Sequence, residues 1–442
     1  MMIGLVLSWT APAHAQRREL QLLSDAETEH IIREMVRPIF EAAGIVPEAV
    51  NIVLVNDKTI NAFVAGGQNI FIHTGLLLQA DNAGQLIGVI AHETGHIAGG
   101  HLVRGNEAME NAFLSSLIGL GLGVVGGLAS GNAGAGAAGL MLGQHLAERN
   151  FLSFSRAQES SADQAGLSYL EQSKMSAQGM LTFLEKLGAD EPVFTDRDVG
   201  YRLTHPLTRE RIDTVRNFVQ RSRFTDRPVP AKAEDGFERI QAKLLAFLDP
   251  LAALRRYRPE DRSIVARYGR AYAYFRQGDV RNALPLADGL IAEEPRNAFF
   301  HEMKGDLMLQ TGRPTEALAP FRKAIELAPD SAPIRVSLAH ALLERNDPRN
   351  ADEAIRNLQV ASRTQGRSAF LWRLMAQAYS LKGDQGMLAY ATAEEALARG
   401  DRAMARVHAE RAEKLLPAGS PGWIRAQDIR GLAGPGPGEK RN

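Results

Sequence analysis

Gly278 and Gly312 lie 34 residues apart, Pro295 and Pro329 share that interval, and Ala283-Leu284 is echoed by Ala317-Leu318. A period of this length is one pair of helices and two turns, and a unit so small cannot bury its own apolar face. Copies must stack, each contacting only its neighbours, into a helical solenoid with a concave binding face. Asn346 continues the series in place of glycine. Gly383 and Gly400 mark later turns, and Gly400 to Pro417 repeats the 17-residue spacing of Gly278 to Pro295. Residues 263–430 are therefore expected to form an all-α solenoid. A connecting region, 226–262, precedes it with its own helix around 237–248, and a Gly/Pro/charged tail, 431–442, is expected to be disordered.

The chemistry lies upstream, in Ala91-His-Glu-Thr-Gly-His-Ile97. At 3.6 residues per turn His92 and His96 share a helix face, so both imidazoles can reach one tetrahedral metal. Glu93 is rotated about 100° from His92, which sets its carboxylate beside the metal, where it can act as a general base. The flank Gln85-Leu-Ile-Gly-Val-Ile-Ala91 is almost wholly apolar. The polar triplet therefore sits in a buried helix, where His and Glu need partners, and a merely solvated face is disfavoured.

A third ligand decides the class of site. Position 102 is Leu, so the longer H-E-x-x-H-x-x-G-x-x-H pattern is out of register despite Gly99 and His101. Arg156-Ala-Gln-Glu159-Ser-Ser-Ala-Asp163-Gln-Ala-Gly166 supplies a second helix with Glu159 as ligand. Asp163, one turn on, can hold a ligand imidazole by its other N–H. His73, His101 and His145 lack ligand spacing to a partner and are expected to be structural.

The order H-E-T-G-H, then E-S-S-A-D-Q-A-G, then Thr204-His-Pro-Leu-Thr-Arg-Glu-Arg-Ile212 resembles the HtpX/BepA-type family of zinc metallopeptidases, which includes the CAAX prenyl proteases. Residues 60–77 resemble the strand before the zinc helix in that family, and the 34-residue period resembles tetratricopeptide repeats. The resemblance covers roughly residues 20–220. It implies His92, His96 and Glu159 as ligands to one Zn2+ per chain, Glu93 as base, and a mainly α fold with a small β-sheet, an α+β gluzincin. It also implies an edge strand within 63–73 that pairs with an extended substrate by β-augmentation. For the tetrahedral oxyanion the preferred donor is His205, with Tyr201 and Arg211 behind it. As a neutral imidazole His205 could instead close the fourth position on zinc and keep the enzyme latent, and the sequence leaves both roles open.

Lys plus Arg equals Asp plus Glu, 51 each in 442 residues, so no global field draws the chain to nucleic acid. Without Cys there are no disulfides and no thiolate ligands. The run Ile3–Trp9 followed by Ala13-His-Ala15 reads as a secretory signal, residues 1–15, although a basic start is missing. The protease domain is then expected over 16–225, in the periplasm. Residues 113–142 are apolar, but too Gly-rich and too short in their apolar run for a transmembrane helix. They are expected to form a hairpin over the cleft or in peripheral contact with a membrane. Two functions compete. One is an endopeptidase acting on misfolded or stalled outer-membrane β-barrel proteins, its repeats recruiting substrate or a barrel-assembly complex. The other is a chaperone or scaffold with a latent protease site. The intact set His92, Glu93, His96 and Glu159 favours the first.

Overall fold

A computed structural model describes residues 21–100, 156–189, 201 and 204–434. The expected signal at 1–15, the apolar segment 113–142, His101 and His145 lie outside these residues. The chain divides into two compact units, one of residues 1–24 and 29–237, the other of 25–28 and 238–442.

The first unit is mainly helical around a four-stranded sheet. Strands β1 (Leu22–Leu23), β2 (Asn51–Val55), β3 (Ala62–Ala65) and β4 (Asn69–His73) lie in the order β1-β2-β4-β3. The hairpin β3–β4 turns through Gly66 and Gly67, both at positive φ, where a side chain would be strained. β3 pairs antiparallel with β4, and β4 lies parallel to β2, which leaves β3 at one edge. The expected edge strand is thus confined to 62–65, and β4 is interior. His73 N–H donates to the Asn61 carbonyl at 3.0 Å. Alternation along an antiparallel ladder then turns the N–H and C=O of Ala62 and Val64 away from β4.

Helix α1 (Ala26–Ala42) precedes β2, and α2 (Thr74–Gln79) leads into α3 (Ala83–Ala98), the helix of the His-Glu-His triplet. Its start is fixed by Asn82, whose side chain accepts from Gln85 N–H, while the Gln85 carboxamide accepts from Asp81 N–H. It ends at Gly99-Gly100, with Gly100 in the left-handed region. Residues 83–95 are all buried, so one helix is enclosed by its neighbours α4 (156–172) and α5 (Gln178–Ala189). Glycine permits the close approach. A Cβ on Gly88 would stand 2.6 Å from the Met180 backbone, and one on Gly95 would stand 2.5 Å from the Ala162 carbonyl oxygen. The second contact sets the distance between the helix carrying His92 and His96 and the helix carrying Glu159. Helices α6 (Arg209–Arg221) and α7 (Ala231–Leu248) follow, the latter starting six residues before the expected 237.

In the second unit, after α8 (Pro250–Arg256), come α9 (Ile264–Arg276), α10 (Val280–Glu293), α11 (Ala298–Gln310), α12 (Pro314–Leu327) and α13 (Ala332–Leu343). The array continues with α14 (Ala351–Gln365), α15 (Ala369–Lys382), α16 (Gln385–Ala398), α17 (Arg402–Leu415) and α18 (Pro421–Ala433). Each packs on the next, as a solenoid requires. Gly278, Gly312, Gly383 and Gly400 all have φ between 73° and 76°. Asn346, the substitute in the series, adopts φ 51°, one of the few side chains to tolerate that region. In three of these turns an Asp follows the glycine and caps the next helix: Asp279, Asp384 and Asp401. The last helix runs to Ala433, past the expected start of the tail. Among the described residues no helix is long and apolar enough to cross a membrane.

Gly95→Ala is expected to force α3 from α4, costing about 1–3 kcal/mol as overpacking does, and to lower metal retention at the site described next. Thermal melting and metal analysis of the purified variant test this. Wild-type melting and full metal content would contradict the packing argument.

Candidate metal centre

His92, His96, Glu159 and His205 offer ligand atoms that all lie within 4.8 Å of one another. His92 Nε2 stands 3.1 Å from His96 Nε2, 3.3 Å from Glu159 Oε2 and 3.3 Å from His205 Nδ1. His96 Nε2 is 3.2 Å from Glu159 Oε1, and His205 Nδ1 is 3.2 Å from the same oxygen. Zinc–ligand bonds of about 2.0–2.2 Å in a tetrahedron put donors roughly 3.3–3.6 Å apart. The five separations, 3.1–3.3 Å, lie at or just below the short end of that range.

The hydrogen bonds assign the tautomers. His92 Nδ1 faces the Asp163 carboxylate at 2.8 Å, which can only accept, so Nδ1 carries a hydrogen and Nε2 is the nitrogen turned to the cluster. His205 Nε2 lies 2.9 Å from the Ala62 carbonyl oxygen, another obligate acceptor, so Nε2 donates and Nδ1 is the nitrogen turned inward. Ring nitrogens of buried imidazoles and a carboxylate thus converge on one another, an arrangement that a cation stabilises. The residues fit a zinc ion.

Charge around the cluster favours a positive charge at its centre, which protons supply in the absence of a metal and which a bound cation would supply in their place. Burial disfavours the Glu159 carboxylate, yet His205 and His92 hold it far below the usual range. Burial also works against protonated His92, but Glu159 and Asp163 outweigh it and raise His92 to about 10. His96 is pushed down to about 3, by burial first and by neighbouring His92 and His205, and stays a neutral ligand despite Glu159. Glu93 is fully buried, no group among the described residues hydrogen-bonds to either of its oxygens, and its carboxyl is raised by that burial. Its Oε1 is 3.3 Å from His205 Nε2. It stands beside the four donors and is not one of them.

Arg211 is placed differently from the sequence expectation of support behind an oxyanion. Its Nε and Nη2 grip both oxygens of Asp163 at 2.6 and 2.9 Å, and Nη1 reaches Glu159 Oε2 at 2.8 Å. Asp163, held down to about 2 against burial by Arg211 and His92, is thus tied to both. Arg211 is itself positioned by α6, whose N-cap Thr208 accepts from Arg211 N–H. The Tyr201 ring lies 4.7 Å from that of His205, tilted over it in the core. His73 instead bonds Thr59 Oγ1 at 2.9 Å, in the structural role expected of it. The Ala62 carbonyl is a participant that side-chain spacing cannot reveal, because a backbone acceptor has no residue signature.

Residues 24–219 match peptidase family M48, and residues 268–332 match the tetratricopeptide repeat. The chain is 27% identical over 377 residues to the beta-barrel assembly-enhancing protease of Escherichia coli (strain K12), covering 82% of this chain and 74% of that one. The protein of the same name from Yersinia pestis is 28% identical over 350 residues, 76% of this chain and 70% of the relative. Metalloprotease LoiP of Escherichia coli (strain K12) is 31% identical over 168 residues, 36% and 59% of the two chains.

Asp163→Asn keeps the shape but removes the charge that orients His92. Loss of such a partner typically costs 10–100-fold in metal affinity. Competition against a zinc chelator is expected to read a loss in that range, and unchanged affinity would contradict the role given to Asp163.

Proposed function

From a chain that carries a peptidase family M48 domain followed by tetratricopeptide repeats, we propose a zinc endopeptidase of the bacterial periplasm. It hydrolyses misfolded or stalled outer-membrane β-barrel proteins, with the repeats recruiting substrate or a barrel-assembly partner. The observation that carries the reading is Glu93, a buried carboxylate beside a four-donor metal cluster with no hydrogen-bond donor of its own among the described residues. His92, His96 and Glu159 would hold a zinc ion, which when bound would supply Lewis acidity to the scissile carbonyl and to the attacking water. Glu93 takes the proton from that water and delivers it to the leaving amine, a transfer worth about 10²–10⁴-fold in rate.

β3 presents the outward N–H and C=O of Ala62 and Val64 to an extended substrate, which adds as a further strand. A stalled barrel precursor exposes unpaired strands of this kind, and the names of the relatives place them in barrel assembly. In the conformation described, His205 fills two places that substrate needs. Nδ1 faces the ligand cluster, and Nε2 holds the Ala62 carbonyl. This supports the latent role for His205, with its withdrawal opening metal and edge together.

Purified protein incubated with an unfolded β-barrel precursor is expected to cleave it, and a chelator to abolish cleavage. Glu93→Gln is expected to keep fold and zinc while losing activity by at least two orders of magnitude; retention of full activity would sink the mechanism. His205→Ala is expected to raise cleavage several-fold. A fall in cleavage with zinc retained would return His205 to the oxyanion.

A further inference from the structure

The second unit buries a group of charges that the peptidase chemistry does not use. Lys243 pairs with Asp25, lies 3.3 Å from Glu27 Oε2, and stands 5.0 Å from the centre of the Tyr272 ring. Tyr268 donates its hydroxyl to the same Glu27 oxygen. On α11, Glu302 and Asp306, one turn apart, belong to the same electrostatic group. One lysine thus stands among four carboxylates, Asp25, Glu27, Glu302 and Asp306. Glu302 is only 6% exposed, and its Oε2 has no hydrogen-bond partner among the described residues; neither has Oε1 of Glu27. Buried acids in excess of buried bases are costly unless a cation or protons make up the difference. Burial raises Glu302 well above the carboxylate range and pushes Asp306 up to about 7, although Lys243 opposes both shifts.

One member of the group, Asp306, reaches a surface pocket. Asp306 lines a pocket of about 270 Å³ with Leu309, Gln310, Ser337, His340 and Glu344, between α11 and the end of α13. That is roughly nine waters' share of liquid volume and below the roughly 300–1,000 Å³ of sites for drug-sized molecules. The size suits one long side chain. Leu309 offers an apolar wall for an alkyl stem, Asp306 offers a carboxylate to its head, and Glu344, whose Oε2 lies 3.4 Å from His340 Nε2, offers a second that a guanidinium or ammonium would share with that ring. Beside His340, the Phe370 ring already carries the guanidinium of Arg373 at 5.0 Å.

We propose that this pocket on the repeats receives the cationic side chain, arginine or lysine, of an extended polypeptide partner. The inference deepens the recruitment role given to the repeats and rests on it, but it does not depend on hydrolysis.

The test uses full-length protein carrying Glu93→Gln, so that bound peptide is not cut. Fluorescence anisotropy is measured with a labelled nonamer of alternating Ser and Ala bearing one central Arg, and with its Leu-centred counterpart. The Arg peptide is expected to bind at least tenfold more tightly, and Asp306→Asn and Glu344→Gln each to weaken it several-fold. Glu344 is exposed, so its substitution keeps the fold, and circular dichroism checks the Asp306 variant. Equal affinity for the two peptides, or full affinity in the double variant, would overturn the proposal. So would free arginine amide or spermidine competing as well as the peptide, since the ligand would then be a small cation. Cleavage of barrel precursor by the wild type is read separately: a silent protease with Arg-selective binding faults the peptidase reading alone, and an active one without selectivity faults this inference alone.

Discussion

Arg211, Asp163 and Glu159 form the buried ion-paired frame on which the rest of the peptidase site hangs. The guanidinium grips Asp163 with two donors and Glu159 with a third. Removing one partner of such a buried set leaves an uncompensated charge and costs about 3–5 kcal/mol. Asp163 in turn fixes the His92 tautomer, and Glu159 closes on His92 and His96. Each of these contacts needs α3 and α4 at contact distance, which glycine at position 95 permits. The metal centre therefore depends on a packing fact and an electrostatic fact together.

One side chain joins the two halves of the substrate problem. β3 is an edge strand whose outward acceptor at Ala62 is taken by His205, and the same imidazole turns its other nitrogen to the ligand cluster. Strand edges invite pairing with any exposed strand. Under the proposed latent role, an edge held by His205 would be withdrawn from that hazard while the same ring covers the ligand cluster.

The clustering of His92, His96 and Glu159 was legible in the sequence because helical spacing converts directly into shared faces. His92 with His96, and Glu159 with Asp163, needed only the 3.6-residue turn and the chemistry of each side chain. The solenoid was legible through its turns, down to Asn346 standing in the left-handed position that glycine takes elsewhere in the repeat. Three features were not. The narrowing of the edge to 62–65 depends on which strand β4 pairs with beyond β3, a tertiary choice that alternation cannot decide. The Ala62 carbonyl is backbone and leaves no residue to find. Arg211 sits in the first turn of α6, and only the fold brings α6 against α4, so its grip on Asp163 and Glu159 escaped a reading that placed it behind His205.

The central claim is that His92, His96, Glu159 and His205 are donors to one zinc. The most direct measurement is zinc content with X-ray absorption at the zinc edge, on the wild type and on His205→Ala. The account predicts one zinc per chain, bound by three imidazole nitrogens and a carboxylate oxygen, with one imidazole lost in the variant while the metal stays. Absence of zinc from the purified protein, or an identical imidazole count in both, would contradict it.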